Sequence, residues 1–318
     1  MLFDITHGFR SLPFVVFLAV AYLRVVKSVC VRGVVYGAFD ARDEEDRAPV
    51  FDLSPFLSLL DRLAAVHLFR RSGSAADLSR LLREIQAEAW QERSAAGLPK
   101  ALQKIGARVE ELSQALLFIR PLEVMEKSQE LARPFTDAAL DEAVRWAKPF
   151  ALIAPALRQE LVQFAAPSDV KNLDTQRRMI AWYVERGLAV QALTLARELL
   201  VTRVCLLLGL ENALRREARG RAEHLLNYLA WSKQPEDRKR SDQWIGPEPD
   251  AADVEKFRTQ DQADSLLALW SLIRDARNDV DHVGMNEQPS RAGALVARVR
   301  EISEKLDRIF GGEHAMTI

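Results

Sequence analysis

From Ser54 onward, apolar positions recur every three or four residues, the pattern of helices that bury one face. Leu78, Leu81, Leu82 and Ile85 form one stripe, and Leu193, Ala196, Leu200, Val204 and Leu207 another. Leu295, Val299, Ile302 and Leu306 form a third. Breakers and caps set the boundaries. Ser54-Pro55 places an N-cap and a first-turn proline at the start of a helix running to about Phe69. Further helices are predicted over 77–94, 100–118, 121–132, 136–146, 155–164, 172–187, 188–210, 211–229, 263–277 and 291–310. Residues 232–262 are polar, carry Pro235, Pro247 and Pro249, and read as a surface loop or insert.

The first fifty residues follow a different pattern. Met1–Ile5 is a short apolar run. Val29–Phe39 is β-branched and reads as a buried strand, with Pro49–Leu53 as a second short one. The helix between, Phe9 to about Lys27, is apolar almost all round, so both its sides should be covered. Strand, turn, helix, strand is a βαβ unit with a parallel pair. The predicted fold class is therefore mostly α, with a small N-terminal α/β part.

The chain has 318 residues, room for two domains or one with a large insert. Lys plus Arg number 44 and Asp plus Glu 45, so there is no bulk attraction to nucleic acid, and any such contact must come from a local patch. The two cysteines, Cys30 and Cys205, sit in apolar runs and read as small core residues of a reduced, cytoplasmic protein. No metal-ligand spacing is present, so no metal or other cofactor is expected. The apolar stretch Leu12–Leu23 is too short to span a membrane and reads as a buried helix.

Two stretches carry candidate chemistry. Asp4-Ile-Thr-His-Gly8 leaves a strand and opens a helix, where backbone N–H groups and the helix dipole favour an anion. Thr6 offers a hydroxyl, His7 a ring, Gly8 close backbone approach and Arg10 a charge; Thr6 as a plain N-cap and Gly8 as a turn residue fit the same residues. The second stretch is Ser271–Met285, in which Arg277 and His282 are separated by four residues. Histidine exchanges protons near neutral pH. Arginine stays charged and can brace a phosphate as negative charge builds on it. With a ribose 2′-hydroxyl as nucleophile, such a pair can cut RNA without a metal. Arg62/His67, Arg219/His224 and Arg308/His314 have similar spacing, but Leu63, Gly220 or Ile309 follows their arginines, whereas Asn278 follows Arg277 and an apolar helix leads into it. Five residues along a helix rotate by about 140°, so a helix end, a kink or a second protomer must bring the two groups together. Arg197 and Glu198 either point at the same cleft or lie solvated on an outer face. Lys233, Arg238, Lys239 and Arg240 are candidate phosphate contacts within an ordinary solvated loop.

The arrangement Arg277, Asn278, then His282 resembles the HEPN ribonuclease motif. Asp4-Ile-Thr-His-Gly8-Phe-Arg-Ser-Leu-Pro-Phe14, with Tyr36-Gly37-Ala38 and Phe51–Phe56, resembles the CRISPR-associated DxTHG-motif proteins. That resemblance implies a Rossmann-like CARF sensor over residues 1–55, a helical linker over 56–170 and an all-α HEPN domain over 171–318. It implies a homodimer with no membrane association, cyclic oligoadenylate as activating ligand at Asp4, Thr6, His7, Gly8 and Arg10, and RNA as substrate. Arg277, His282 and Asn278 are then the catalytic residues. In the family the signature follows several strands and helices; here it begins at residue 4, so the first half of the sensor sheet is expected to be missing from this chain or supplied by another. The alternative is a truncated or uncoupled regulatory protein that dimerises without a ligand-dependent ribonuclease. A toxin or antitoxin on the HEPN core fits the C-terminus but not the DxTHG turn.

Overall fold

The computed structural model describes residues 1–4, 12–91, 98–132, 141–142, 145–146, 154–235, 244–285 and 289–311. Strands β1 (Leu2–Asp4), β2 (Gly33–Gly37) and β3 (Val50–Asp52) form one sheet in that order. β1 runs parallel to β2, with Phe3 opposite Val34, and helix α1 (Leu12–Lys27) makes the crossover. β3 returns antiparallel, with Tyr36 opposite Phe51. The expected βαβ unit with its parallel pair is therefore present, and the fold is mostly helical as the periodicity predicts.

Eleven more helices follow among the described residues: α2 (Ser54–Ser72), α3 (Ala76–Gln91), α4 (Leu102–Leu117), α5 (Pro121–Ala132), α6 (Ala154–Val162), α7 (Leu173–Glu185), α8 (Ala189–Leu208), α9 (Arg216–Ser232), α10 (Ala251–Arg258), α11 (Ala263–Asp281) and α12 (Ala292–Phe310). The predicted helix 136–146 falls mostly outside the described residues. The apolar stripes do what their spacing dictates. Leu78, Leu82, Ile85, Leu193, Ala196, Leu200, Val204, Val299, Ile302 and Leu306 are buried in one hydrophobic core that runs from α2 to α12. At the joint of α2 and α3, Ser113 of α4 donates its hydroxyl to Gly73 O (2.6 Å) and accepts from Ala75 N (3.0 Å).

Four local expectations are corrected. Helix α1 is not covered on both sides. Val20 joins Val34 and Leu57 in a small core beneath the sheet, while Phe14, Val15, Leu18, Tyr22, Val25 and Val26 are exposed. One layer of short strands covers one face of a helix, and the described residues place nothing over the other. Cys30 is exposed, because it lies in the connection after α1 rather than within a packed element; Cys205 is buried as expected. Ser54 does not cap α2: its hydroxyl accepts from Val34 N (3.0 Å), tying the helix start to β2. Within 232–262 the chain forms α10, capped by Asp250 accepting from Ala252 N (2.9 Å) and anchored by fully buried Phe257.

Candidate active site

Helix α11 carries the Arg/His motif to the molecular surface. Its apolar face, with Leu266, Leu269, Trp270, Ile273 and Ala276, is buried against the bundle. The helix runs four residues beyond the predicted end at Arg277. Arg277 and Asn278 therefore sit in its last turns, and His282 is the C-cap residue, at φ −86° and ψ 7°. The chain then reverses through Val283 (φ 48°) and Gly284 (φ 71°), with Gly284 N donating to Asp279 O (3.2 Å). Glycine is the residue that adopts such a left-handed turn without cost. Buried Asp279 accepts from Ser290 N (2.8 Å) and pins the segment that follows.

Arg277 and Asn278 line a groove of about 250 Å³, together with Arg197 from α8, Glu223 and Asn227 from α9, and Trp270, Ile273, Arg274 and Asp281 from α11. Three guanidiniums line it, and each already faces an acid: Arg197 meets Glu198 and Glu223, Arg274 meets Asp275, and Arg277 meets Asp281. Arg277 Nε faces Asp281 Oδ2 at 3.2 Å. Asn227 Oδ1 accepts from Trp270 Nε1 (3.0 Å), fixing the groove floor. His282 is exposed and is not among the groove-lining residues. The rotation of about 140° between positions 277 and 282 accounts for this, since it places the two positions on different faces.

Arg197 resolves the choice left open by the sequence. It lies in the groove, not on an outer face, clamped by Glu198 and Glu223 and 5.9 Å from the Trp270 ring centre. Glu198 in turn accepts from Arg219 (2.6 Å), which also reaches Thr202 Oγ1 and Ala213 O at 3.0 Å. The chain Arg219–Glu198–Arg197–Glu223 holds a cation behind Arg277. A charged residue interrupting an apolar stripe was the available signal; its partners on α9 were not visible locally. Burial raises the Glu198 carboxyl, but Arg219 and Arg197 outweigh it and leave it below the usual carboxylate range. A depressed carboxylate contributes stability above its unfolded pKa and loses it as pH falls through the folded one. Glu198→Gln should lower stability by about 1–2 kcal/mol at pH 7. It should also melt with a shallower pH dependence than the parent below about pH 5. Equal slopes in thermal scans at pH 5 and pH 3 would contradict the clamp.

The other sites fall out as follows. Asp4 ends β1; Thr6, His7, Gly8 and Arg10 lie outside the described residues, as do Arg238, Lys239, Arg240 and His314. Lys233 pairs with Asp264. Arg62 is half-buried, its guanidinium pKa lowered chiefly by burial, while His67 is exposed on a cleft of about 710 Å³ beside Arg71 and Arg80. His224 Nε2 lies 2.9 Å from Pro247 O, away from Arg219.

The elements define a mostly helical protein with a small N-terminal βαβ-containing sheet and an arginine-lined groove at the end of one bundle helix. No family model matches the chain. It is similar to the CRISPR-associated protein MJ1674 of Methanocaldococcus jannaschii, 30% identical over 124 residues, which cover 37% of this chain and 18% of that protein. The chain thus spans under a fifth of the length of the curated relative it matches. No helix among the described residues is long and apolar enough to cross a membrane.

Proposed function

We propose that the chain is a CRISPR-associated endoribonuclease of the HEPN type, cutting RNA without a metal at a homodimer interface. The observation that carries this reading is the groove at the end of α11, where Arg277 and Asn278 stand beside Arg197 and Arg274. His282 follows one residue past the helix end. Arg277 stabilises the charge that builds on the phosphate. His282 of one protomer or its partner moves the proton of the 2′-hydroxyl or of the leaving oxygen, and Asn278 orients one of these groups. The bond formed is from O2′ to phosphorus and the bond broken is from phosphorus to O5′. The products therefore end in a 2′,3′-cyclic phosphate and a 5′-hydroxyl. Since His282 does not line the groove within one chain, a second copy offers the simplest route to a complete site.

On this reading residues 1–55 are the partial sensor, 56–170 the connecting helices and 171–318 the catalytic domain. Cyclic oligoadenylate activates through Asp4, Thr6, His7, Gly8 and Arg10. The exposed face of α1 favours a second reading, in which the chain dimerises without responding to ligand. One experiment separates them. Cleavage of a labelled single-stranded RNA is followed with and without cyclic oligoadenylate and with EDTA, and the product ends are mapped. The ribonuclease reading expects cyclic-phosphate ends, insensitivity to EDTA and a rise in rate with activator. Activity abolished by EDTA contradicts the metal-free chemistry. Cleavage indifferent to activator supports the uncoupled protein.

A further inference from the structure

Beside the groove, helix α9 carries a second stripe of a different chemistry. Glu223 and Asn227 face the groove. His224, Tyr228 and Trp231 lie on the adjacent face, one helical stripe at i, i+4 and i+7. Trp244 reaches back from the following segment and joins them. Its ring centre is 5.3 Å from His224, 5.3 Å from Tyr228 and 5.9 Å from Trp231, and Tyr228 and Trp231 are 6.0 Å apart. All four rings are only partly buried. Next to Trp244, Ile245 is 94% exposed. The cluster latches the 244–250 segment onto α9, and its rings keep part of their surface open to solvent.

The position of the cluster matters as much as its composition. The centres of the two stripes on α9 are about a quarter-turn apart, on the order of 8 Å around a helix about 10 Å across. That is comparable to the reach of a nucleotide from its phosphate to its base. Positive grooves flanked by aromatic rings are how proteins hold single strands, the cations taking phosphates and the rings stacking on unpaired bases.

We propose that His224, Tyr228, Trp231 and Trp244 form a base-stacking subsite, on which an unpaired base next to the groove-bound phosphate stacks. This rests on the ribonuclease reading above. A duplex keeps its bases stacked on one another and cannot offer one to the platform.

The test uses the full chain and a single-stranded oligoribonucleotide made uncleavable by 2′-O-methylation, with one abasic position moved along it. Binding is read by fluorescence anisotropy and by tryptophan quenching. Each stacked base is worth about 1–3 kcal/mol, so an abasic residue at the platform should weaken binding at least about fivefold, while other positions change little. Trp244→Leu should lower affinity for the intact strand by a similar factor and erase the abasic dependence. A scan flat within twofold, or a duplex bound as tightly as the single strand, overturns the subsite even if the protein cuts RNA. The abasic scan is run on the parent protein, so it stands even if Trp244→Leu fails to fold. If the parent neither binds nor cuts RNA, the ribonuclease reading falls and the subsite with it.

Discussion

On the proposed ribonuclease reading, replacing His282 with alanine should reduce RNA cleavage by about 10²–10⁴-fold while the protein folds as before. The size follows from the role: general acid–base catalysis by a positioned side chain contributes about that much. Intact folding follows from the place. His282 is exposed at the end of α11, and its part in the helix end is a backbone one, its N–H donating to Asn278 O at 3.2 Å. Surface substitutions of this kind change stability by about 0.5 kcal/mol or less. The measurement is a single-turnover cleavage assay beside a thermal melt and gel filtration. Cleavage by His282→Ala at the parental rate removes the histidine from the mechanism, and a melting point that collapses with activity removes the distinction between catalysis and folding. Mixing inactive His282→Ala with inactive Arg277→Ala gives a further reading. Partial recovery of activity is expected if each site draws its arginine and histidine from different chains.

The largest stability effect is expected at Gly73. This residue ends α2 at φ 75° and its N–H donates to Phe69 O at 2.7 Å. An added Cβ would stand 2.5 Å from the Trp182 Cη2 atom, too close for any real contact. Trp182 cannot simply retreat: it is buried, packed edge-on against Phe164 and Tyr183, and covered by the Arg186 guanidinium 3.9 Å from its ring centre. The left-handed backbone costs about 1 kcal/mol for alanine and the overpacking about 1–3 more. Gly73→Ala should therefore lose about 2–4 kcal/mol in chemical denaturation. Gly187→Ala isolates the backbone part, since Gly187 has φ 71° but nothing within 4 Å of an added Cβ. Equal losses in the two variants would mean that the tryptophan yields and the joint is not tightly packed.

How far the site could be read from the chain differs by residue. Arg277, Asn278 and His282 were visible as a spacing with a polar follower; they fall at the end of one helix, but only the first two line the groove. That the helix would continue to Asp281 was not visible, because propensity at Asp279–Asp281 is weak and buried Asp279 is held by the returning segment at Ser290. Arg197 could be seen as a charge in an apolar helix, but either orientation was consistent with its stripe. Helix α10 was hidden behind two prolines, although Asp250 as cap and Phe257 as anchor were there to be found. The reverse error occurred at α1, where an apolar circumference suggested cover on all sides and the sheet supplies only one.

What the sequence alone determined is every described helix except α10, and the inner faces of α3, α8 and α12. Both depend on side-chain period and local capping, which act over a few residues. The tertiary structure decided which charges meet. Arg197, Glu223 and Arg277 belong to three separate helices, and only the packing of α8, α9 and α11 around one core turns them into a single groove. It also decided what stays bare, because whether an apolar face is covered depends on distant segments arriving there, and no local period carries that information.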